Sequence, residues 1–266
     1  MQIPSRQMME AEMALRFLAR ANPPPILFRY RPPNDWTLNE ISKHQLYAPK
    51  PDELNDPFEC RAACFWDINS IKRFFIEKFA PSYGLSPEDA AKQFDLSCES
   101  GMARLFQADN ESRQNTNIVG FSAIPNSIRM WAYYSKAHEG ICIGYDTSFR
   151  PFNVASDVKY KNLDIPFDVI AAIQNDPTEI AANITFRKAE EWEFEQEYRV
   201  ASNLGDIKYI PFHPSAIKEI RFGVRINKNP DFKAKVLEAV SRLPHRPKLI
   251  QMGCDFDRFI LTETVI

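Results

Sequence analysis

The stretch Trp192-Glu193-Phe194-Glu195-Gln196-Glu197-Tyr198-Arg199-Val200 concentrates charge where a helix is expected to give way to a strand, and its reading decides the fold. Upstream, Asp176-Pro177-Thr178-Glu179 has the marks of a helix start, with Asp176 as cap, Pro177 in the first turn and Glu179 answering the cap. Downstream, Tyr198-Arg199-Val200-Ala201-Ser202 has the composition of a strand. A strand beginning near Glu195 has a period of two, which puts Glu195, Glu197 and Arg199 on one face and Gln196, Tyr198 and Val200 on the other. One face packs and the other carries chemistry; the alternative is a solvated face bridged by Arg199.

Outward from this point, strand and helix patterns are mixed without a regular βαβα alternation. Met9, Met13, Phe17 and Leu18 give residues 1–25 a docking helix that stops at Asn22-Pro23-Pro24-Pro25, a stiff linker. Ile26-Leu27-Phe28-Arg29-Tyr30-Arg31 reads as a strand, and Thr37-Leu38-Asn39-Glu40 reads as a capping box starting a helix at Leu38, stapled by Trp36 and Ile41. Gln45-Leu46-Tyr47-Ala48 is a short strand. Helical patterns from Ile68 to Ala80 and after Ser86-Pro87-Glu88-Asp89 predict an insertion over about 67–110.

Asn117 to Ser122 and Gly140 to Tyr145 read as strands flanking a helix from Ser127 to His138. Tyr209 to Phe212 and Ile217 to Val224 are further strands. A helix follows at Asn229-Pro230 with Phe232, Val236, Leu237 and Val240 on one face, and the chain closes on strands over Lys248 to Met252 and Phe256 to Val265. The expected class is therefore α+β, a mixed, mostly antiparallel sheet forming one domain over 26–266.

The chain's 266 residues suffice for one large core, and 26% charged residues with a net charge of -2 argue against both disorder and a strongly basic surface for nucleic acid. No apolar stretch spans a bilayer, and Met1-Gln2-Ile3-Pro4-Ser5-Arg6 lacks the apolar region of a signal peptide, so the expectation is a cytoplasmic protein with no membrane partner. The five cysteines are odd in number and scattered, which predicts reduced thiols, most of them buried, and no zinc set completes the Cys60/Cys64 pair.

The eight glycines form neither Gly-x-Gly-x-x-Gly nor a phosphate-cradling loop, and His-Glu-x-x-His and Gly-x-Ser-x-Gly are absent. His138 and Cys142 suggest a Cys/His pair, but Cys142 lies in an apolar strand where a thiol is inert. Arg29 and Arg31 share a strand face, suited to a phosphate, a carboxylate or a structural acid. Ser122 ends a strand where its hydroxyl could orient a ligand or shape a turn. Trp131, Tyr133 and Tyr134 supply either a stacking platform or core. Asn55-Asp56-Pro57-Phe58-Glu59 reads as a rigid turn in which Asn55 and Asp56 bond their own backbone.

Phe28-Arg29-Tyr30-Arg31, Leu54-Asn55-Asp56-Pro57-Phe58-Glu59, Met130-Trp131-Ala132-Tyr133-Tyr134 with His138 and Gly140, and Lys188 with Trp192, Glu195, Glu197 and Arg199 together resemble the bacterial family called domain of unknown function 2971. That resemblance extends from Ile26 to about Val224 and implies a bacterial or phage-associated cytosolic protein, without naming an activity. The order of Arg29 or Arg31, Phe121-Ser122 and Glu195-Gln196-Glu197 is also similar to ADP-ribosyltransferases, whose Ser-Thr-Ser run is replaced here by Ser122-Ala123-Ile124.

The second resemblance implies an NAD-dependent transferase, of the kind found in toxin or phage-defence effectors, with NAD as substrate, no metal, and an unknown protein or nucleic-acid acceptor. It implies that Glu197 stabilises the charge developing on the ribose and that Glu195 activates the acceptor. Arg31 or Arg29 would hold a phosphate or ribose, and Ser122 with Trp131 or Tyr134 would line the nicotinamide end. The alternatives are a non-catalytic ligand- or partner-binding module and a metal-dependent phosphodiesterase using Asp56, Glu59, Glu195 and Glu197.

Overall fold

Apolar and aromatic runs at a period of two build the sheet that carries everything else. The computed structural model describes residues 21–60, 64–65, 69, 72–73, 76–77, 80–95, 116–160, 167–168, 185–202 and 208–266. Strands β1 (Ile26–Arg31), β2 (Asn117–Ser122), β3 (Ile141–Asp146), β4 (Ser156–Asp157), β5 (Glu197–Ser202), β6 (Ile217–Phe222), β7 (Lys248–Asp255) and β8 (Ile260–Val265) form one sheet in the order β8-β7-β6-β3-β1-β2-β5-β4. Neighbours are antiparallel except β6 and β7, which run parallel because helix α3 (Pro230–Ser241) returns the chain between them. The fold is a mixed α/β one on a mostly antiparallel sheet, as the sequence pattern predicts.

Alternation along the strands sends side chains to two cores. Leu27, Val119, Phe121, Ile143, Tyr145 and Val200 face helices α1 (Asp35–Lys43) and α3, which contribute Ile41, Phe232, Val236 and Val240. Tyr145 stacks on Phe152 at 4.5 Å between centroids, with Phe121 and Phe212 edge-on around them. Burying each such ring contributes roughly 1.5–3 kcal/mol. Phe28, Tyr30 and Cys142 point the other way, against Met130 and Trp131 of helix α2 (Ile128–Tyr134). Leu237, expected on the buried face of α3, is 38% exposed.

Helix α1 does not begin as the Thr37 box predicts. Asn34, extended at φ -149, accepts the Thr37 amide at 3.0 Å, while Thr37 is buried and its hydroxyl donates to the Pro32 carbonyl at 2.7 Å. Glu40, assigned to the box, is instead buried at 2% exposure among cations of the sheet. Asn34→Ala should therefore cost about 1 kcal/mol in a urea titration, the usual loss for an N-cap; an unchanged midpoint would show the helix holding without it. At the helix over 87–95, Ser86 does cap as expected, accepting the Asp89 amide at 3.1 Å.

Two further boundaries shift. Helix α2 ends at Tyr134 rather than at His138, because Lys136, Ala137 and His138 take left-handed backbone angles (φ 52, 53 and 70). That turn brings Gly140 so close to β1 that an added Cβ would lie 2.0 Å from the Arg31 carbonyl oxygen. Strand β5 begins at Glu197, not Glu195: Glu195 ends a 3-10 helix (Glu190–Glu195), and Gln196 turns the chain at φ 44. The proline segment docks on the sheet, with Thr147 donating to the carbonyls of Pro24 and Pro25 at 2.7 and 3.1 Å. The helix expected before Pro23, much of the one from Ile68 and the start at Asp176 lie outside the described residues. Among the described residues no helix is long and apolar enough to cross a membrane.

Candidate functional site

The sheet opens in its middle. β1 pairs with β3 along its whole length, and β2 with β5 likewise, but β1 and β2 share a single register pair, Phe28 with Ser122. Beyond it the strands separate and the segment after Gln45 wedges between them. Arg29 donates to the Tyr47 carbonyl at 3.1 Å, Asn117 to the Ala48 carbonyl at 3.0 Å and the Ile118 amide to the Pro49 carbonyl at 2.9 Å. One backbone amide of β2, that of Ile118, is thus paired with the wedge, and two strand side chains hold the rest of it. What remains is a cavity of about 230 Å³ whose lining includes Arg31 and Tyr47 together with Lys188, Glu195 and Glu197.

The carboxylate wall is a buried ionic cluster. The β2/β5 register sets Glu197 opposite Ser122 and Arg199 opposite Gly120. Arg199, with no exposed surface, grips Glu197 through Nε and a terminal nitrogen, both at 2.9 Å, and reaches Glu59 at 2.6 Å and the Thr185 carbonyl at 2.7 Å. Lys188 bridges Glu195 at 2.6 Å and Glu197 at 3.4 Å, with Trp192 stacked 4.7 Å from its ammonium. Gly120 gives Glu197 its room: a Cβ there would meet the carboxylate oxygen at 2.6 Å.

Hydrogen bonds fix the second carboxylate. Ser122 donates its hydroxyl to the Glu195 carbonyl at 2.6 Å, holding the turn that delivers this side chain to the cluster. Tyr134 donates to Glu195 Oε1 and accepts from Asn55 at 3.0 Å. Ser127 caps α2 by accepting the Met130 amide, and Arg129 lies 4.4 Å from the Phe194 ring, so α2 is seated against the turn that carries Glu195. The Tyr160 hydroxyl accepts the Glu197 amide at 2.7 Å.

These surroundings push the two carboxylates apart. Burial, and next the neighbouring Glu197, raise the Glu195 pKa above the usual range. Burial also works against the Glu197 carboxylate, but Arg199 and Lys188 overcome it and hold its pKa below the ordinary value. Burial raises Glu59 too, despite Arg199. Lys188 is held above its usual value, because Glu197 and Glu195 outweigh its burial. Within this cluster Glu59, Glu195 and Glu197 outnumber Lys188 and Arg199 by one charge when all are ionised, so it favours one more proton or one more positive charge.

The expected site residues are thus partly assembled. Glu195, Glu197, Ser122 and Tyr134 meet at the cavity, and Arg31 also lines it. Arg29 also borders it, but its guanidinium is engaged by Glu40 at 3.1 Å and by the Tyr47 carbonyl, so it tethers α1 and the wedge to the sheet. Trp131 is fully buried, edge-on to Tyr30 and bonded to the Pro125 carbonyl, and it offers no face to the cavity. The solvated-face alternative for 195–199 does not hold, since Glu195 and Arg199 are buried.

The remaining residues singled out in the sequence fall as follows. Asp56 bonds the Phe58 amide as expected of the turn, whereas Asn55 reaches across to Tyr134. Cys142 is buried, and burial lifts its thiol well above the usual value, leaving no nucleophile. Among the described residues no group of at least 3 His, Cys, Asp or Glu side chains is placed to hold a metal; Glu59, Glu195 and Glu197, the carboxylates of the phosphodiesterase alternative, are each bound to Lys188 or Arg199. Tyr160 and the reach of Glu59 to Arg199 carry no local sequence signal.

Residues 130–200 match the model of a family described as "Protein of unknown function (DUF2971)". The match takes in α2 from Met130 on, Lys188, Glu195, Glu197 and Arg199 but neither β1 nor the Asn55 turn, so it is shorter than the resemblance read along the chain. No curated protein and no solved structure matches the chain.

Proposed function

We propose that the chain is an NAD-dependent ADP-ribosyltransferase-like enzyme whose reaction takes place in the split between β1 and β2. The observation that carries this reading is the carboxylate-rich buried cluster lining that split, with Arg31 lining the same cavity. The side-by-side order β1, β2, β5, bearing Arg31, Ser122 and Glu197, supports it. When the bond between nicotinamide and ribose breaks, its electron pair leaves with neutral nicotinamide and positive charge develops on the ribose. A cluster with one surplus carboxylate stabilises that charge more than it stabilises the ground state. Glu197, kept ionised by Arg199, faces the ribose, and Arg31 holds a phosphate. Glu195, with its raised pKa, takes the proton of the acceptor as the new bond to ribose forms.

Nicotinamide release from NAD, with protein and nucleic-acid acceptors supplied, tests the reading. Turnover should fall on acidification through the raised Glu195 pKa, because a protonated Glu195 cannot accept a proton. Tyr134 donates to this carboxylate and so favours its ionised form; Tyr134→Phe should move the acid limb to higher pH, and a limb that stays put would remove Glu195 from the base role. A second reading has its own support: Glu197 is fully gripped by Arg199 and Lys188, as expected of a rigid wall in a non-catalytic ligand-binding module. NAD binding without nicotinamide release would identify that case.

A further inference from the structure

We propose that the cleft between β1 and α1 is a further binding subsite, built to take the nucleobase and phosphate of a nucleotide. The assignment of that nucleotide to the ADP half of NAD rests on the function proposed above; the subsite itself does not.

The cleft, about 180 Å³, is bounded by Arg31, Lys43, Trp36, Tyr47 and Tyr209, and it shares Arg31 and Tyr47 with the cavity in the sheet. Its charge is unbalanced. Arg29 and Arg31 both lie 3.1 Å from the same oxygen of Glu40, and the other oxygen accepts the Tyr145 hydroxyl at 2.6 Å. One carboxylate answering two guanidiniums leaves one positive charge over, and Lys43 in the last turn of α1 adds another. Glu53, the nearby acid that accepts the Tyr47 hydroxyl, is already paired with Lys208 at 2.8 Å. Arg31 Nε is buried 3.1 Å from Glu40 but makes no hydrogen bond to it, so the carboxylate holds this guanidinium by charge. An anion in the cleft would answer the surplus positive charge, and a phosphate suits a guanidinium.

Beside the cations stands an aromatic shelf. Tyr47 is fixed by its bond to Glu53 and by the backbone pairing of its strand with Tyr209, and its ring lies 6.1 Å from Trp36 and 5.7 Å from Tyr209. Trp36 and Tyr209 nevertheless remain 58% and 42% exposed. Large rings left in water beside unbalanced cations suit a ligand that is flat at one end and anionic at the other. Because Arg31 lines both cavities, a phosphate held there would direct the base onto the shelf and the rest of the ligand towards Glu195 and Glu197.

Calorimetry with ADP and with nicotinamide mononucleotide as probes tests this on wild type, Trp36→Ala and Lys43→Glu, each checked for folding by circular dichroism. Both substitutions lie on the surface of α1. ADP should bind wild type and weaken by about 10-fold or more in each variant, the order expected for losing one base-stacking ring in Trp36→Ala, and nicotinamide mononucleotide, also a flat ring with a phosphate, should weaken likewise wherever it occupies this cleft. No ADP binding by wild type, or wild-type ADP affinity in both folded variants, would overturn the subsite even if NAD is turned over. ADP binding that depends on Trp36 and Lys43 in a protein releasing no nicotinamide upholds the subsite and removes the transferase reading.

Discussion

Arg199→Met should destabilise the protein by about 3–5 kcal/mol, the largest stability effect expected of any single change in the cluster. Methionine keeps much of the stem's volume, so little of the loss comes from packing. It comes from Glu59 and Glu197, which Arg199 holds at 2.6 and 2.9 Å in a place where Arg199 itself has no exposed surface. Deprived of their partner, both carboxylates have pKa values above those of the unfolded chain and favour the folded state only when protonated. The sign follows: the defect should be fullest at neutral pH and shrink as the pH falls through those raised values. Arg199→Lys keeps the charge but loses the fork and should fall between wild type and the methionine variant. Urea titrations at neutral and mildly acidic pH would check both. A loss below about 1 kcal/mol that does not change with pH would mean the cluster behaves as a solvated ion pair.

The sequence makes legible those parts of the site that lie along one strand. A period of two places Glu197 and Arg199 on a common face, and the structure sets them opposite Ser122 and Gly120. Glu195 reaches the same cluster by another route, through a 3-10 turn and a left-handed Gln196, so the period of two brought the right residue for the wrong reason. The grip of Arg199 on Glu59 spans the chain and leaves no trace in local spacing. The Thr37 box fails because Thr37 and Glu40 fit two roles at once. Burial beside Arg29 and Arg31 decides for the ionic one, and Asn34 is left to cap the helix. The split between β1 and β2 was not readable either, since both runs have good strand composition; the segment at Tyr47 to Pro49 that fills it is held by the side chains of Arg29 and Asn117 and by the Ile118 amide, contacts far apart in sequence.

Glu197→Gln should lower nicotinamide release by roughly 100-fold or more while leaving NAD affinity nearly intact, the pattern of losing a group that acts on the transition state. Glutamine has the same shape and can still accept a hydrogen bond from Arg199 in the space that Gly120 leaves. The charges also remain matched: without Glu197, the cluster has Glu59 and Glu195 against Arg199 and Lys188. The fold should therefore lose far less than in Arg199→Met, which separates a catalytic defect from an unfolding one. The same balance removes the surplus negative charge that the developing ribose cation needs, so binding is kept and chemistry fails. Gly120→Ala gives an independent check, because it keeps the carboxylate but forces it to move, and it should also depress turnover. The measurements are release rates and NAD titrations at matched folded fraction. Equal turnover in wild type and Glu197→Gln would sink the catalytic role of Glu197, and NAD binding without release by wild type, with protein and nucleic-acid acceptors both supplied, would leave the binding module as the reading that stands.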